Sequence, residues 1–262
     1  MNKSKIQLLG IAYDAKSSFM RGPAQAPAKI REILNDGSSN FISENGIDLK
    51  EKADWLDSGD IEVGDYPELL PRIKNKIDPE AKPIFLGGDH SISFPLVEAM
   101  AEFHAPFSIL HFDAHTDLYD IFEGDRFSHA CPFARIMEKG LAKKLIQVGI
   151  RNVSKHHQEQ ADKFGVDIIT MRDLDRMQDI RLEGPVYLSL DLDVFDPAFV
   201  PGVSHQEAGG MSPREFINAF HNLDLDLIGA DIVEYNPFRD VSDITAALAA
   251  KMLKEIAGKM LQ

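Results

Sequence analysis

The sequence is short of cysteine, of basic charge and of long apolar runs, and each shortage closes off a class of protein. A single cysteine, Cys131, excludes any disulfide within the chain and permits a reducing compartment. Lys and Arg number 28 against 42 Asp and Glu, for a formal net charge of -14. That balance argues against a nucleic-acid partner, whose phosphates are met by clustered Lys and Arg. No stretch reaches the roughly 18 apolar residues of a membrane-spanning helix, and the polar opening Met1–Ile6 lacks a signal-peptide layout. The chain therefore reads as cytoplasmic, with no membrane partner. No repeat, low-complexity segment or Pro/Gly/Ser linker divides residues 1–262, so a single domain with a sizeable core is expected.

What the sequence does have is a succession of short runs rich in Val, Ile and Leu. They fall at Ile6–Ala12, Pro83–Leu86, Phe107–Phe112, Leu145–Gly149, Val166–Ile169, Val186–Leu192 and Leu227–Val233, with a weaker eighth at Ala53–Leu56. Continuous apolar runs of this length fit strands buried on both faces of a parallel sheet. Helical spacing lies between them, at Pro27–Leu34, Ser93–Phe103, Ser128–Gly140 and Ile244–Met260. Ser212-Pro213-Arg214-Glu215 is a capping-box pattern that opens a further helix to about Asn222. Alternating strands and helices predict a doubly wound, mainly parallel α/β sheet of about eight strands. Such sheets bind ligands beyond the carboxyl ends of their strands.

Three of the runs end in ionisable residues. Phe85-Leu86 leads into Gly87-Gly88-Asp89-His90-Ser91, Phe112 into Asp113-Ala114-His115-Thr116-Asp117, and Leu190 into Asp191-Leu192-Asp193. Residues two apart share one side of an extended chain, which groups Asp113, His115 and Asp117, and likewise Asp191 and Asp193. With His90 they make four carboxylates and two imidazoles. Burying such a set is costly unless a cation offsets it. Six donors exceed the needs of one metal, and a set rich in oxygen and free of thiolate favours Mn²⁺ or Mg²⁺ over a structural Zn²⁺.

These three segments resemble the signatures of the arginase/agmatinase (ureohydrolase) family, the third extending over Ser189–Pro197. Ser17–Gly22 is similar to the family's N-terminal active-site loop, and Asp231–Pro237 to its late acidic motif. Asp117–Glu138 resembles the agmatinase-like branch that includes plant arginases. The resemblance implies a three-layer α/β/α fold, a homo-oligomer (trimer or hexamer) and a pair of Mn²⁺ ions. It implies that His90, Asp113, Asp117 and Asp191 hold one ion, and that His115, Asp113, Asp191 and Asp193 hold the other. It further implies that His129 transfers a proton and that Glu234 grips a guanidinium.

That chemistry suits the residues. A guanidinium carbon is a poor electrophile and neutral water a poor nucleophile, a barrier that metal binding lowers by bringing the pKa of water towards about 7. The departing amine needs a proton, which a histidine can give near neutral pH. A carboxylate pairs with a guanidinium through two parallel charge-assisted bonds. The product would be urea and an amine.

Departures from the family pattern bear on the substrate. Asp125-Arg126-Phe127-Ser128 stands where animal-type arginases hold the substrate α-carboxylate, Ser154 replaces an aspartate that helps hold the α-amino group, and Ala130 replaces the usual glycine after His129. Agmatine, cleaved to putrescine and urea, is the favoured substrate on this reading, its amine drawn by Asp125 or Glu207, with His205 also placed to touch substrate. Arginine, guanidinobutyrate and guanidine remain alternatives. So do a non-catalytic metal-binding relative and a hydrolase of another bond. Arg151 reads as a residue for substrate or a neighbouring subunit. Cys131 reads as packing, and His104, His156, His157 and His221 as surface or capping groups.

Overall fold

The computed structural model describes residues 3–61, 64–104 and 106–262, so Met1 and Asn2 of the polar opening lie outside the described residues. Eight strands form one sheet: β1 (Ser4–Ile11), β2 (Ala53–Ile61), β3 (Ala81–Leu86), β4 (Ser108–Phe112), β5 (Lys144–Ile150), β6 (Asp167–Thr170), β7 (Pro185–Asp191) and β8 (Asp226–Val233). Their order is β2-β1-β3-β8-β7-β4-β5-β6, and every pairing is parallel. Each of the eight apolar runs thus became a strand.

Side chains alternate between two apolar layers, as the two-residue period of a strand requires. Leu8, Leu110, Leu188 and Leu190 pack on one side with Ile30 of α1 (Ala26–Asn35), Phe216 of α7 (Pro213–Asn222) and Met252 of α8 (Ile244–Met260). Ile11, Ile109 and Tyr187 pack on the other side with Ile73 of α3 (Leu69–Lys76), Leu96 of α4 (Ser93–His104) and Phe133 of α5 (Pro132–Glu138). The result is a three-layer α/β/α fold. A single helical turn, α2 (Leu49–Lys52), precedes β2, and α6 (Lys155–Phe164) follows β5. No helix among the described residues is long and apolar enough to cross a membrane.

One helix is shorter than its sequence suggests. The spacing over Ser128–Gly140 predicts a helix, but α5 begins at Pro132. Pro disfavours helical backbone at the residue before it and suits the first helical position, so Ser128–Cys131 stays a loop. That loop carries His129. The capping box before α7 forms as predicted, with Ser212 Oγ accepting from Glu215 N and Glu215 accepting from Ser212 N.

The site is positioned by the centre of the sheet. β3, β8, β7 and β4 are neighbours, and their carboxyl ends deliver the segments that begin at Gly87, Glu234, Leu192 and Asp113. Gly88 lets the first of these lie against the N-terminal segment, because a Cβ there would sit 1.6 Å from the Tyr13 carbonyl oxygen. Gly88 N donates to Ile11 O at 3.0 Å and Glu234 N to Gly88 O at 3.0 Å, which ties three segments together.

Candidate active site

His90 lies in the turn after β3 and is fully buried. Its Nδ1 faces Asp113 Oδ2 at 3.2 Å, Asp117 Oδ2 at 3.1 Å and Asp191 Oδ2 at 3.1 Å, yet makes no hydrogen bond. Behind the ring, Ser189 gives its hydroxyl proton to Asp231 Oδ1 at 2.6 Å, so its oxygen is free to accept from His90 Nε2–H at 3.0 Å. Asp231 is held in turn by Tyr187 at 2.9 Å and Ser93 at 3.0 Å. This arrangement puts the proton on Nε2 and points the Nδ1 lone pair at three carboxylates. A bare lone pair among anions fits a metal ligand with a hydrogen-bonded rear nitrogen.

Asp113 faces two ways. Its Oδ2 lies on the His90 side, while Oδ1 accepts from His115 N at 2.6 Å and lies 3.5 Å from His115 Nδ1. His115 Nδ1 is 2.9 Å from Asp193 Oδ2, and Asp193 Oδ1 accepts from Ala114 N at 3.0 Å. Asp113, His115 and Asp193 therefore form a second potential cation-binding group beside the first. The clustering does not come from extended chain, as the two-residue spacing suggests. β4 stops at Phe112 and β7 at Asp191, and the carboxylates then turn the chain by accepting from amides two residues on, as Asp191 Oδ1 does from Asp193 N at 2.8 Å. Asp117 adopts φ 47° to reach the group.

The charge at the site is unbalanced. Burial and the neighbouring Asp113 push the Asp193 carboxyl up to about 6, and burial with both neighbouring aspartates pushes Asp191 well up. Burial alone would lower the His90 pKa, but the three carboxylates raise it well above its ordinary value. Both directions express one demand, for positive charge among these oxygens. The donor set fits a metal pair.

Glu234 lies across the cluster, 4 % exposed, at φ 64°. Its Oε1 accepts from His90 N at 2.8 Å and from His129 Nδ1 at 3.3 Å. Among the described residues both bonds fall on Oε1, which leaves Oε2 for a ligand. Burial raises the Glu234 carboxyl, but His129 and His90 together outweigh it and hold the pKa below the ordinary value. Burial lowers His129, but Glu234 lifts it to about 9. His129 Nε2 meets Ser18 Oγ at 2.9 Å. Ser18 lies on a loop fixed by Asp14, which accepts from Gly22 N at 2.7 Å, and by Asp89, which accepts from Lys16 N at 2.9 Å.

These groups surround a cavity of about 180 Å³. Of the predicted site residues, His115, Asp117, Asp191, Asp193, His129, Glu234 and His205 line it, with His90 and Asp113 buried just beneath. The His205 ring stacks on His129 at 5.1 Å. Asp125 and Glu207 are not in the lining; Asp125 is ion-paired with Lys16 at 2.6 Å. Asn152, Tyr119 and His157 line the cavity without having been singled out as substrate contacts. His157 does cap α6, as a capping group should, while also reaching the cavity. Arg151 turns away from a ligand and donates to Val194 O at 2.9 Å and to the Asp193 carbonyl. Cys131 is buried and its thiol is pushed up to about 12 by burial, as packing predicts and nucleophilicity does not.

The sequence pattern of the Arginase family matches residues 4–258. The chain belongs to the arginase family. Its sequence is 46% identical to the mitochondrial Arginase 1 of Arabidopsis thaliana, over 98% of this chain and 82% of that protein. It is 32% identical to the agmatinase of Bacillus cereus, over 97% of this chain and 91% of that one. The solved structure of an arginase from Medicago truncatula superposes with a TM-score of 0.92 at 44% identity, covering 98% of this chain and 87% of the other. As a member of the arginase family, the chain is a metal-dependent hydrolase acting on guanidino compounds.

Proposed function

We propose that this chain is an arginase, hydrolysing arginine to ornithine and urea. The observation that carries the choice is the lining of the cavity. The sequence favours agmatine because Asp125 and Glu207 are available to attract its amine. Neither lines the cavity, and Asp125 is engaged by Lys16. Among the described residues, Glu234 is the sole lining carboxylate outside the proposed ligand set. The lining instead offers Ser18, Asn152 and Tyr119, neutral groups that suit the paired charges of an amino acid better than a lone ammonium. The higher identity to a plant arginase than to an agmatinase supports the same choice.

The proposed site holds two Mn²⁺. His90, Asp113, Asp117 and Asp191 would bind one, and His115, Asp113, Asp191 and Asp193 the other. When bound, the pair supplies a nucleophile by lowering the pKa of water towards about 7. Glu234 Oε2 receives the guanidinium through charge-assisted hydrogen bonds, while His90 N and His129 Nδ1 keep Oε1 in place. That fixes the guanidinium carbon over the carboxylate cluster, an effect of position. His129, protonated and held between Glu234 and Ser18, gives a proton to the departing amine nitrogen as the carbon–nitrogen bond breaks. Homo-oligomer formation, as a trimer or hexamer, belongs to the same reading. Phe238 at 77% exposed and Val241 at 56% provide apolar surface for it.

The test is urea release by the Mn²⁺-loaded protein from arginine, agmatine, guanidinobutyrate and guanidine side by side. Arginine should give the highest kcat/KM. Preference for agmatine would overturn the substrate, and no urea from any of them with both metals bound would overturn the reaction.

A further inference from the structure

His111 is outside the ligand set, yet its Nε2 lies 2.8 Å from Asp113 Oδ2. The ring is fully buried, stacks on Phe133 at 3.9 Å and meets His90 edge-on at 5.0 Å. Its tautomer follows from the far side. Gln147 Nε2 donates to the Thr116 carbonyl at 2.6 Å, which marks that atom as the amide nitrogen. The same nitrogen lies 3.0 Å from His111 Nδ1. A donor facing Nδ1 requires a lone pair there, so the proton is on Nε2 and is given to Asp113. A nitrogen carrying that proton has no lone pair with which to bind a metal.

Asp113 must keep each oxygen on its own side if it is to serve two cations. His115 N fixes Oδ1 on the His115–Asp193 side. His111 Nε2–H is the matching restraint on Oδ2, the oxygen 3.2 Å from His90 Nδ1. Without it, rotation about the Cβ–Cγ bond loses its restraint on the His90 side. We propose that His111, oriented by Gln147 and Thr116, is a positioning residue that holds Asp113 in a bridging orientation and sets the affinity of the His90-side metal. The proposal rests on the ligand set proposed above.

Three variants test it. His111→Phe keeps an aromatic ring against Phe133 and removes the donor. His111→Gln restores an N–H near the lost Nε2. Gln147→Leu releases the tautomer without touching Asp113. Each full-length protein is stripped of metal and titrated with Mn²⁺ alone, by calorimetry and by the electron paramagnetic resonance signal of free Mn²⁺, with thermal melts to confirm folding. All should bind two Mn²⁺ per chain. In His111→Phe one binding step should weaken by about 10–100-fold, the usual effect of removing a partner of a metal ligand, while the other is unchanged. His111→Gln should recover most of that loss, and Gln147→Leu should weaken the same step by less. Native affinity at both steps in His111→Phe overturns the proposal, as does saturation at one Mn²⁺, which would make His111 a ligand. If His111→Phe does not fold, Gln147→Leu decides, by a weakened step with both ions kept or by an unchanged one. His90→Ala tests the ligand set separately, since native binding of both ions there defeats that reading whatever His111 does.

Discussion

Replacing Glu234 with glutamine changes little in shape and removes one buried charge, so its consequences can be worked through. On the proposed reading two roles meet on this carboxylate. The first is to pair with the substrate guanidinium. Taking the charge from one partner of a buried pair costs about 3–5 kcal/mol, which at 1.36 kcal/mol per decade is a loss of about 10²–10⁴ in kcat/KM. The second is to hold the proton on His129. Burial opposes that proton, and Glu234, joined by Asp117 and Asp89, outweighs burial and raises the pKa to about 9. A proton donor with this pKa is active below about pH 9 and fails above it. With the charge gone, the pKa falls back towards the ordinary 6.5, and the alkaline limb of kcat moves down with it. The stability linkage has the same sign, being full below 6.5 and lost as pH rises through about 9. Urea release measured from neutral to alkaline pH gives both numbers, and metal analysis should still find two Mn²⁺ per chain. A loss below about tenfold, or an alkaline limb that stays where it was, would refute the role given to Glu234.

Other substitutions separate the remaining assignments. His115→Asn should weaken one of the two ions and cut turnover severely; metal content and urea release at native levels would remove His115 from the ligand set. Asn152→Ala should lower kcat/KM for arginine by about 10–100-fold, the worth of a hydrogen bond to a charged group, with less effect on guanidine, which lacks the amino-acid end. Equal losses on both substrates would place Asn152 elsewhere. Arg151→Ala strips donors from the carbonyls of Val194, Gly149 and Asp193 and should cost about 1–3 kcal/mol of stability. A native melting temperature would contradict that bracing role, and a KM effect without instability would return Arg151 to the substrate.

The central strands were legible because a sheet covered on both faces needs unbroken apolar runs, whereas the edge strands β2 and β6 carry that mark only in part, each run being broken by an aspartate, Asp54 or Asp167. The segments that carry the Asp/His cluster were legible because they directly follow such runs. The neutral wall of the cavity was not. Asn152 and Tyr119 follow no apolar periodicity and no spacing rule, and only the close of β5 and the 113–120 segment brings them to the cavity. His111 was hidden for the opposite reason. It sits inside β4, where a histidine reads as one more residue of a buried strand. The engagement of Asp125 was hidden because sequence gives a carboxylate without its partner, and Lys16 is 109 positions away.

Backbone geometry carries the last part of the argument. Two of the residues assigned to the site, Asp117 at φ 47° and Glu234 at φ 64°, adopt a left-handed conformation that non-glycine residues rarely hold. Each such residue costs of order 1–3 kcal/mol and persists only where its surroundings fix it. Glycine would relieve that cost at either position but would remove the carboxylate. At Glu234 the restraints are visible, since its amide is tied to Gly88 O and its Oε1 to His90 N, so the strand end and the β3 turn hold it from both sides. At Asp117 the carboxylate meets His90 Nδ1, and its carbonyl accepts from Phe133 N at 3.3 Å at the start of α5. Both strained residues are anchored to the segment around His90 or the helix beside it. The fold therefore holds positive-φ backbone at two of the carboxylates that line the cavity, each fixed by contacts to the β3 turn or to α5.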